Sequence, residues 1–87
     1  MNRKSLRNPY IIVISCENRD AEQRAEEYLK KTVQKAIVKS KTAQKGHIEL
    51  NYEIMLSDND TSFISDISEM EGITSAVLVS YNGDYLG

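Results

Sequence analysis

The sequence predicts an α+β domain of the ferredoxin-like βαββαβ type, and three features of its pattern predict it. Apolar and polar residues alternate from Ile48 to Leu56, as in a strand with one buried and one exposed face. Residues 21–35 repeat their apolar positions every three to four residues, as in an amphipathic helix. Short β-branched runs stand before and after the helical segments. This order predicts a four-stranded antiparallel sheet with two helices on one face.

The length and composition suit one domain. The chain has 87 residues, of which 40% are hydrophobic and 28% are charged, as in ordinary globular proteins. We predict a flexible lead-in over residues 1–8, ended by Pro9, and one domain over residues 9–87. No apolar run approaches the ~20 residues of a membrane-spanning helix, so we expect a soluble chain. A domain excised from a larger membrane protein would look the same.

In the first half, residues 10–15 are rich in β-branched side chains and predict the first strand. Turn-forming residues follow, and Asn18 or Asp20 is the predicted N-cap of the first helix. That helix has glutamates early and lysines late, which matches the helix dipole. Residues 36–42 predict the second strand, and a three-stranded sheet with this segment frayed is the main alternative.

In the second half, a turn over residues 44–46 leads into the alternating strand, where Tyr52 shares the apolar face. Asp60 or Thr61 is the predicted cap of a short second helix. The inward side chains of this helix are Phe63, Ile64, Ile67 and Met70. Gly72 is expected to end it in a left-handed conformation. Residues 75–81 predict the last strand, and Asn82-Gly83 predicts a turn.

The residues that could carry chemistry form no recognisable constellation, so we predict a non-enzymatic chain without a cofactor. Cys16, the single cysteine, is predicted to be a small buried residue at a strand end. His47, the single histidine, is interpreted as a solvent-facing turn residue without a partner. The run Asp58-Asn59-Asp60 lacks the glycine and the distal glutamate of a calcium loop. We therefore predict no metal site.

Charge is divided unevenly along the chain. Residues 30–47 hold six lysines and no acid, whereas residues 48–87 hold eight acids and no lysine or arginine. This asymmetry suits head-to-tail or membrane-surface contacts, although a solvated lysine-rich hairpin is the simpler interpretation. Glu49 and Glu53 lie on the polar face of the alternating strand, where they would repel phosphate. We therefore predict no nucleic-acid partner.

The second half of the sequence resembles two families. The run Phe63–Ile73, followed by Ala76–Val79, looks like the second half of ACT-type regulatory domains, in which a helix ends in a Gly-Ile step before the last strand. The stretch from Ile48 to Asp84 is similar to the soluble C-terminal domain of a bacterial family of multi-pass membrane proteins of unknown function. The C-terminal domains of MgtC-type membrane proteins share this plan. The motifs that carry the second resemblance are Leu50–Ile54, Asp60–Phe63 and Val79–Tyr85.

The resemblance implies a cytoplasmic regulatory or assembly domain, attached to the inner face of a bacterial membrane through a segment absent from this chain. We expect a homo-oligomer, such as a dimer, formed through a sheet edge or face. The predicted interface residues are Tyr81, Asn82 and Tyr85, and an edge strand that turns back and seals itself is the alternative. ACT-type domains bind amino acids at the first strand–helix turn, which implies a small-molecule sensor as the alternative function. The ligand-binding residues would then be Glu17, Asn18 and Arg19.

Overall fold

Four antiparallel strands form a sheet that two helices cover on one side. The computed structural model describes residues 8–56 and 60–80. In chain order, the elements are β1 (Asn8–Cys16), α1 (Arg19–Thr32), β2 (Lys35–Gln44), β3 (His47–Leu56), α2 (Phe63–Ser68) and β4 (Ile73–Ser80). The strands pair in the order β2-β3-β1-β4, and every pair is antiparallel. The predicted ferredoxin-like class is confirmed.

The core lies between the helices and one face of the sheet. Alternate residues of β1 and β3 point into it, together with one stripe of each helix. Tyr52 and Cys16 both lie on this face and are buried, as the sequence predicts. The largest of the almost completely buried side chains are Ile12, Ile14, Cys16, Leu29, Leu50, Ile54 and Ile67. Each large aliphatic side chain buried in this way stabilises the fold by about 1.5–3 kcal/mol.

Helix α1 is capped by Asn18, one of the two predicted caps, and both begins and ends earlier than the predicted residues 21–35. The Asn18 side chain accepts a hydrogen bond from the Ala21 backbone N–H at 2.9 Å and so caps the first turn. The helix stops at Thr32 because Val33 adopts an extended conformation that buries its side chain in the core. The Gln34 N–H then donates to the Met55 carbonyl at 3.1 Å, which starts the pairing of β2 with β3.

Strand β2 is complete, so the three-stranded alternative is wrong. The strand pairs with β3 from Lys35 to Gln44, with a register shift between Val38 and Ser40. The extra residue at this bulge is Lys39. After the bulge, Ser40 lies beside Asn51 on the face away from the helices, and the two side chains are hydrogen-bonded at 3.0 Å.

Three details differ from the sequence-based expectation. Pro9 lies inside β1 and pairs with Met55 of β3, and among the described residues the pairing of β1 with β4 starts at Tyr10. The N-cap position of α2 is Ser62, and its N–H and Oγ both donate to the Asp60 carboxylate, at 3.0 and 2.7 Å. Helix α2 ends at Ser68, so the left-handed Gly72 (φ +86°) lies in the turn before β4 rather than at the helix end.

Candidate functional site

A groove lies where the turn between β1 and α1 approaches the turn between β2 and β3. Its volume is about 410 Å³, and it is broadly open to solvent. The residues that line it are Glu17, Asn18, Arg19, Asp20, Gln44, Gly46 and Ile48. The structure therefore brings the three predicted ligand-binding residues to one groove. Their role as ligand contacts stays a prediction.

Hydrogen bonds within the fold limit what two of these residues can offer to a ligand. The side-chain Oδ1 of Asn18 already accepts a hydrogen bond from the Ala21 N–H, so this side chain serves the helix. The Glu17 N–H donates to the Gly72 carbonyl at 2.8 Å and fixes the turn. The side chains of Glu17 and Arg19 remain exposed. Opposite charges two positions apart could contact the ammonium and carboxylate groups of a small zwitterion.

Sequence reasoning missed the residues that the second turn contributes to the groove. Gln44 and Gly46 come from the hairpin between β2 and β3, and Gly46 has a left-handed φ of +76°. The sequence predicts this turn, but no local signal indicates that it meets the turn after β1. That meeting follows from the pairing of Cys16 with Ile48 across β1 and β3.

Cys16 and His47 lie on opposite faces of the sheet. Cys16 is buried on the helix side, and burial, reinforced by the charge of Glu22, raises the pKa of its thiol. A thiol in this state is a poor nucleophile. His47 belongs to β3 rather than to the turn, and it is half-buried on the other face, where its Nε2 lies 3.9 Å from Glu49. The predicted turn position is therefore wrong by one residue, whereas the side chain is 43% exposed and does face solvent.

A charged pair connects β2 to α1. The Lys41 Nζ lies 2.7 Å from the Glu22 Oε2, and the Glu22 side chain is only 15% exposed. Lys41 reaches the helix side because the bulge at Lys39 shifts the phase of β2. Lys39 itself lies 3.7 Å from Glu53. Lys39 and Lys41 of the lysine-rich hairpin are thus paired with acidic side chains. The hairpin is therefore only partly a solvated charged surface.

A cavity of about 270 Å³ lies between the end of α1 and the start of α2. The Tyr28 hydroxyl donates to the Asp66 carboxylate at 2.9 Å across it. Burial and this hydrogen bond raise the pKa of Tyr28. This hydrogen bond links α1 to α2.

The sheet face away from the helices carries an apolar strip along β1 and β4. Ile11 pairs with Val79, and Val13 pairs with Val77, so their side chains share this face. Val77 and Val79 are 49% and 50% exposed. On the neighbouring strand β3, the same face carries Glu49 and Glu53. We call the four apolar residues Ile11, Val13, Val77 and Val79 the open-face strip.

Three predicted interface residues and two types of site remain to be compared with the structure. The predicted interface residues Tyr81, Asn82 and Tyr85 lie outside the described residues, and their role stays a prediction. Within residues 8–56 and 60–80, no group of three or more histidine, cysteine or acidic side chains is arranged to hold a metal ion. No helix in that part of the chain is long and apolar enough to cross a membrane.

Comparisons with known proteins identify a fold. No protein-family model matches the sequence, and no curated protein gives a significant match. Among solved structures, the solution structure of the C-terminal domain of the MgtC protein from Mycobacterium tuberculosis is similar, with a TM-score of 0.63. The two share one fold. The match covers 91% of this chain and 93% of the MgtC domain, at 10% sequence identity.

The likeness to MgtC confirms the architectural part of the sequence-based resemblance. Because the match covers nearly all of the MgtC C-terminal domain, this chain corresponds to that domain as a unit. At 10% identity, however, the similarity is one of fold, and it assigns no role to any residue here. The resemblance to ACT-type domains stays an interpretation of the motifs.

Proposed function

We propose that this chain is a non-enzymatic assembly or regulatory domain on the cytoplasmic side of a bacterial membrane protein. The observation that carries the proposal is the open-face strip, in which Val77 and Val79 stay half-exposed beside Ile11 and Val13. Contiguous exposed apolar surface of this kind is typical of protein–protein contact sites. The fold shared with the C-terminal domain of MgtC supports the membrane-protein context.

The position of the reactive side chains supports a non-enzymatic role. Cys16 is buried on the helix side of the sheet, and His47 lies on the opposite face. Nucleophilic catalysis needs a nucleophile within hydrogen-bond reach of its base, and the sheet separates these two side chains. Binding surfaces, rather than reacting groups, are what this arrangement offers.

The assembly role is tested by measuring the solution mass of the purified chain by light scattering over a wide concentration range. We expect the mass to rise with concentration towards that of an oligomer. A mass that stays at the monomer value at all concentrations would contradict self-assembly.

The membrane context needs a separate test in the source cells. An antibody against this domain should find it in the membrane fraction, on the protein from which the chain derives. Protease should digest it in inverted vesicles and leave it intact in whole spheroplasts, because the domain is proposed to face the cytoplasm. Recovery in the soluble fraction, or digestion in intact spheroplasts, would contradict this placement.

A second candidate function is a sensor of small zwitterions, and the groove of about 410 Å³ favours it. In this groove Glu17 and Arg19 lie across from Gln44 of the hairpin between β2 and β3. A ligand that binds only the folded chain must raise the melting temperature by mass action. A thermal-shift panel of amino acids should therefore reveal a hit, if this function holds.

The variants Glu17→Ala and Arg19→Ala should abolish that shift. Glu27→Ala is the matched control, because Glu27 is exposed on α1 and does not line the groove. Asn18 is unsuitable as a probe, since it caps α1. A shift that survives both groove variants would rule out this site.

A further inference from the structure

The two edges of the sheet differ in how they resist pairing with another strand. At one edge, β2 carries Lys35, Lys39 and Lys41, and its ladder is interrupted by the bulge at Lys39. Lysines and bulges are the devices by which edge strands avoid pairing with other strands. This edge of the sheet is therefore protected.

At the other edge, β4 has neither lysines nor any other charge. Its sequence from Ile73 to Ser80 is Ile-Thr-Ser-Ala-Val-Leu-Val-Ser. The register with β1 is regular from Tyr10 to Ser15, and its irregularity is confined to the end near Cys16. Among the described residues, no strand pairs with the outer side of β4. A regular, uncharged strand rich in β-branched residues is a template for pairing.

We propose that β4 pairs antiparallel with β4 of a second copy of this chain, so that one sheet runs through both molecules. In a contact across a two-fold axis, the strand of one molecule lies beside the identical strand of the other. A charged residue on the strand would therefore lie close to the same charged residue of the second molecule. Strand β4 meets this condition, because it holds no charge, whereas β2 with its three lysines does not. The inference rests on the assembly function proposed above and names its surface and its partner.

Edge pairing fits the charges better than stacking of the two open faces. The open face carries Glu49 and Glu53 on β3, next to the open-face strip. Stacking two such faces would remove these carboxylates from water and bring them towards those of the partner. Pairing along β4 instead extends the strip across the axis, so that Val77 and Val79 of both copies form one apolar surface. Glu49 and Glu53 stay on the β3 strand of each molecule, away from the contact and in solvent.

The expected dimer is weak. One eight-residue edge is a small contact, below the size of a standard stable interface. We therefore expect dissociation in the micromolar range or above, visible as a mass that depends on concentration. In the full protein, attachment to a common membrane complex would raise the effective concentration.

The decisive experiment compares two lysine substitutions in the purified full chain by light scattering and sedimentation. Val77→Lys places a charge on β4, and Ile37→Lys places the same charge on β2, at a site on the same face that is 42% exposed. Val77 lies near the middle of β4, so the two introduced lysines would lie close together in an antiparallel pair, and Val77→Lys should weaken the dimer at least about tenfold. Ile37→Lys should leave it unchanged. Circular dichroism and the melting temperature confirm that both variants are folded.

Cross-linking of single cysteines along β4 provides a second measurement. Cysteines introduced one at a time from Thr74 to Ser80 should form disulfide-linked dimers most readily at one position and less readily on either side of it. This peak marks the two-fold axis, because only there does a residue lie opposite its own copy within disulfide distance. Val38→Cys on β2 is the control, and the buried Cys16 remains in place.

The outcomes separate this proposal from the function on which it rests. A wild-type chain that is monomeric at every concentration overturns both. An oligomer that Val77→Lys leaves intact, or that Ile37→Lys disrupts equally, overturns the pairing through β4 and leaves the assembly function standing. Equal cross-linking along β4 and at Val38→Cys also overturns the pairing.

Discussion

A Cβ atom on Gly72 would lie 2.7 Å from the Cβ of Ala21, closer than two carbon atoms can approach. Gly72 is also left-handed, with a φ of +86°. Its carbonyl accepts the Glu17 N–H, so the turn before β4 is held against the start of α1. Two independent constraints, one of conformation and one of space, therefore require glycine at this position.

Gly72→Ala should destabilise the protein more than Gly46→Ala does. Gly46 is also left-handed, but a Cβ there would meet nothing within 4 Å. Gly46→Ala should therefore cost only the conformational penalty, about 1–2 kcal/mol. Gly72→Ala adds the clash with Ala21, for about 1–3 kcal/mol more. Urea unfolding measures the free energy of unfolding of both variants. An equal loss of stability in the two would contradict the close approach of Gly72 to Ala21.

Removal of the N-cap should weaken α1. Asn18→Ala leaves the Ala21 N–H without its acceptor and should lower the free energy of unfolding by about 1 kcal/mol. Asn18→Asp is the matched control, because its carboxylate can accept the same hydrogen bond and interacts favourably with the positive end of the helix dipole. Urea midpoints should rank wild type and Asn18→Asp above Asn18→Ala. Three equal midpoints would mean that this cap contributes nothing measurable.

Tyr52 should make the protein less stable at alkaline pH. Burial, with a further contribution from Glu26 and Glu22, raises the pKa of Tyr52 to about 12 from its usual value near 10. The unfolded chain therefore releases this proton first, and the stabilisation is complete below pH ~10 and is lost as the pH rises towards ~12. The slope is about 1.4 kcal/mol per pH unit, or on the order of 2–3 kcal/mol in all.

Tyr52→Phe isolates this effect, because the other titrating groups remain in both proteins. The difference in unfolding free energy between wild type and variant should be constant below pH ~10. Above that value it should shift in favour of the variant. A difference that is the same at pH 8 and at pH 12 would show that Tyr52 ionises as freely in the folded protein as in the unfolded chain.

Cys16 should react with thiol reagents only when the protein opens. Its side chain is fully buried, and burial raises the pKa of the thiol, so both access and the thiolate fraction are reduced. Labelling in native buffer should be slower than in denaturant by orders of magnitude. Its rate should also rise in the destabilised Gly72→Ala variant, because opening becomes more frequent. Rapid labelling in native buffer would contradict the burial of Cys16.

The sequence predicts most of the fold because its strongest patterns coincide with buried faces. The alternation along β3 marks the central face of the sheet, and Tyr52 lies there as predicted. The exact form of β2 was beyond prediction. Lys39 is an extra residue in the ladder, and a bulge changes the phase of a strand without any signature in an exposed, lysine-rich run.

The candidate groove was only half predictable for a related reason. Glu17, Asn18 and Arg19 are neighbours in sequence, so a single turn necessarily brings them together. Gln44 reaches the same groove only through strand pairing, which composition and periodicity do not report. Asn18 also shows that one residue type serves two purposes: its side chain suits a ligand, but here it caps a helix.

The pairing of β1 with β4 has a consequence for biosynthesis. Val13 leaves the ribosome well before its partner Val77, which lies in the last of the described elements. Until then β1, a central strand, is exposed along one side in the nascent chain, with Ile11 and Val13 uncovered. Such long-range pairing slows folding and leaves an unpaired apolar strand that can associate with other chains. Completion of this small domain is therefore the step at which we expect chaperones to matter most.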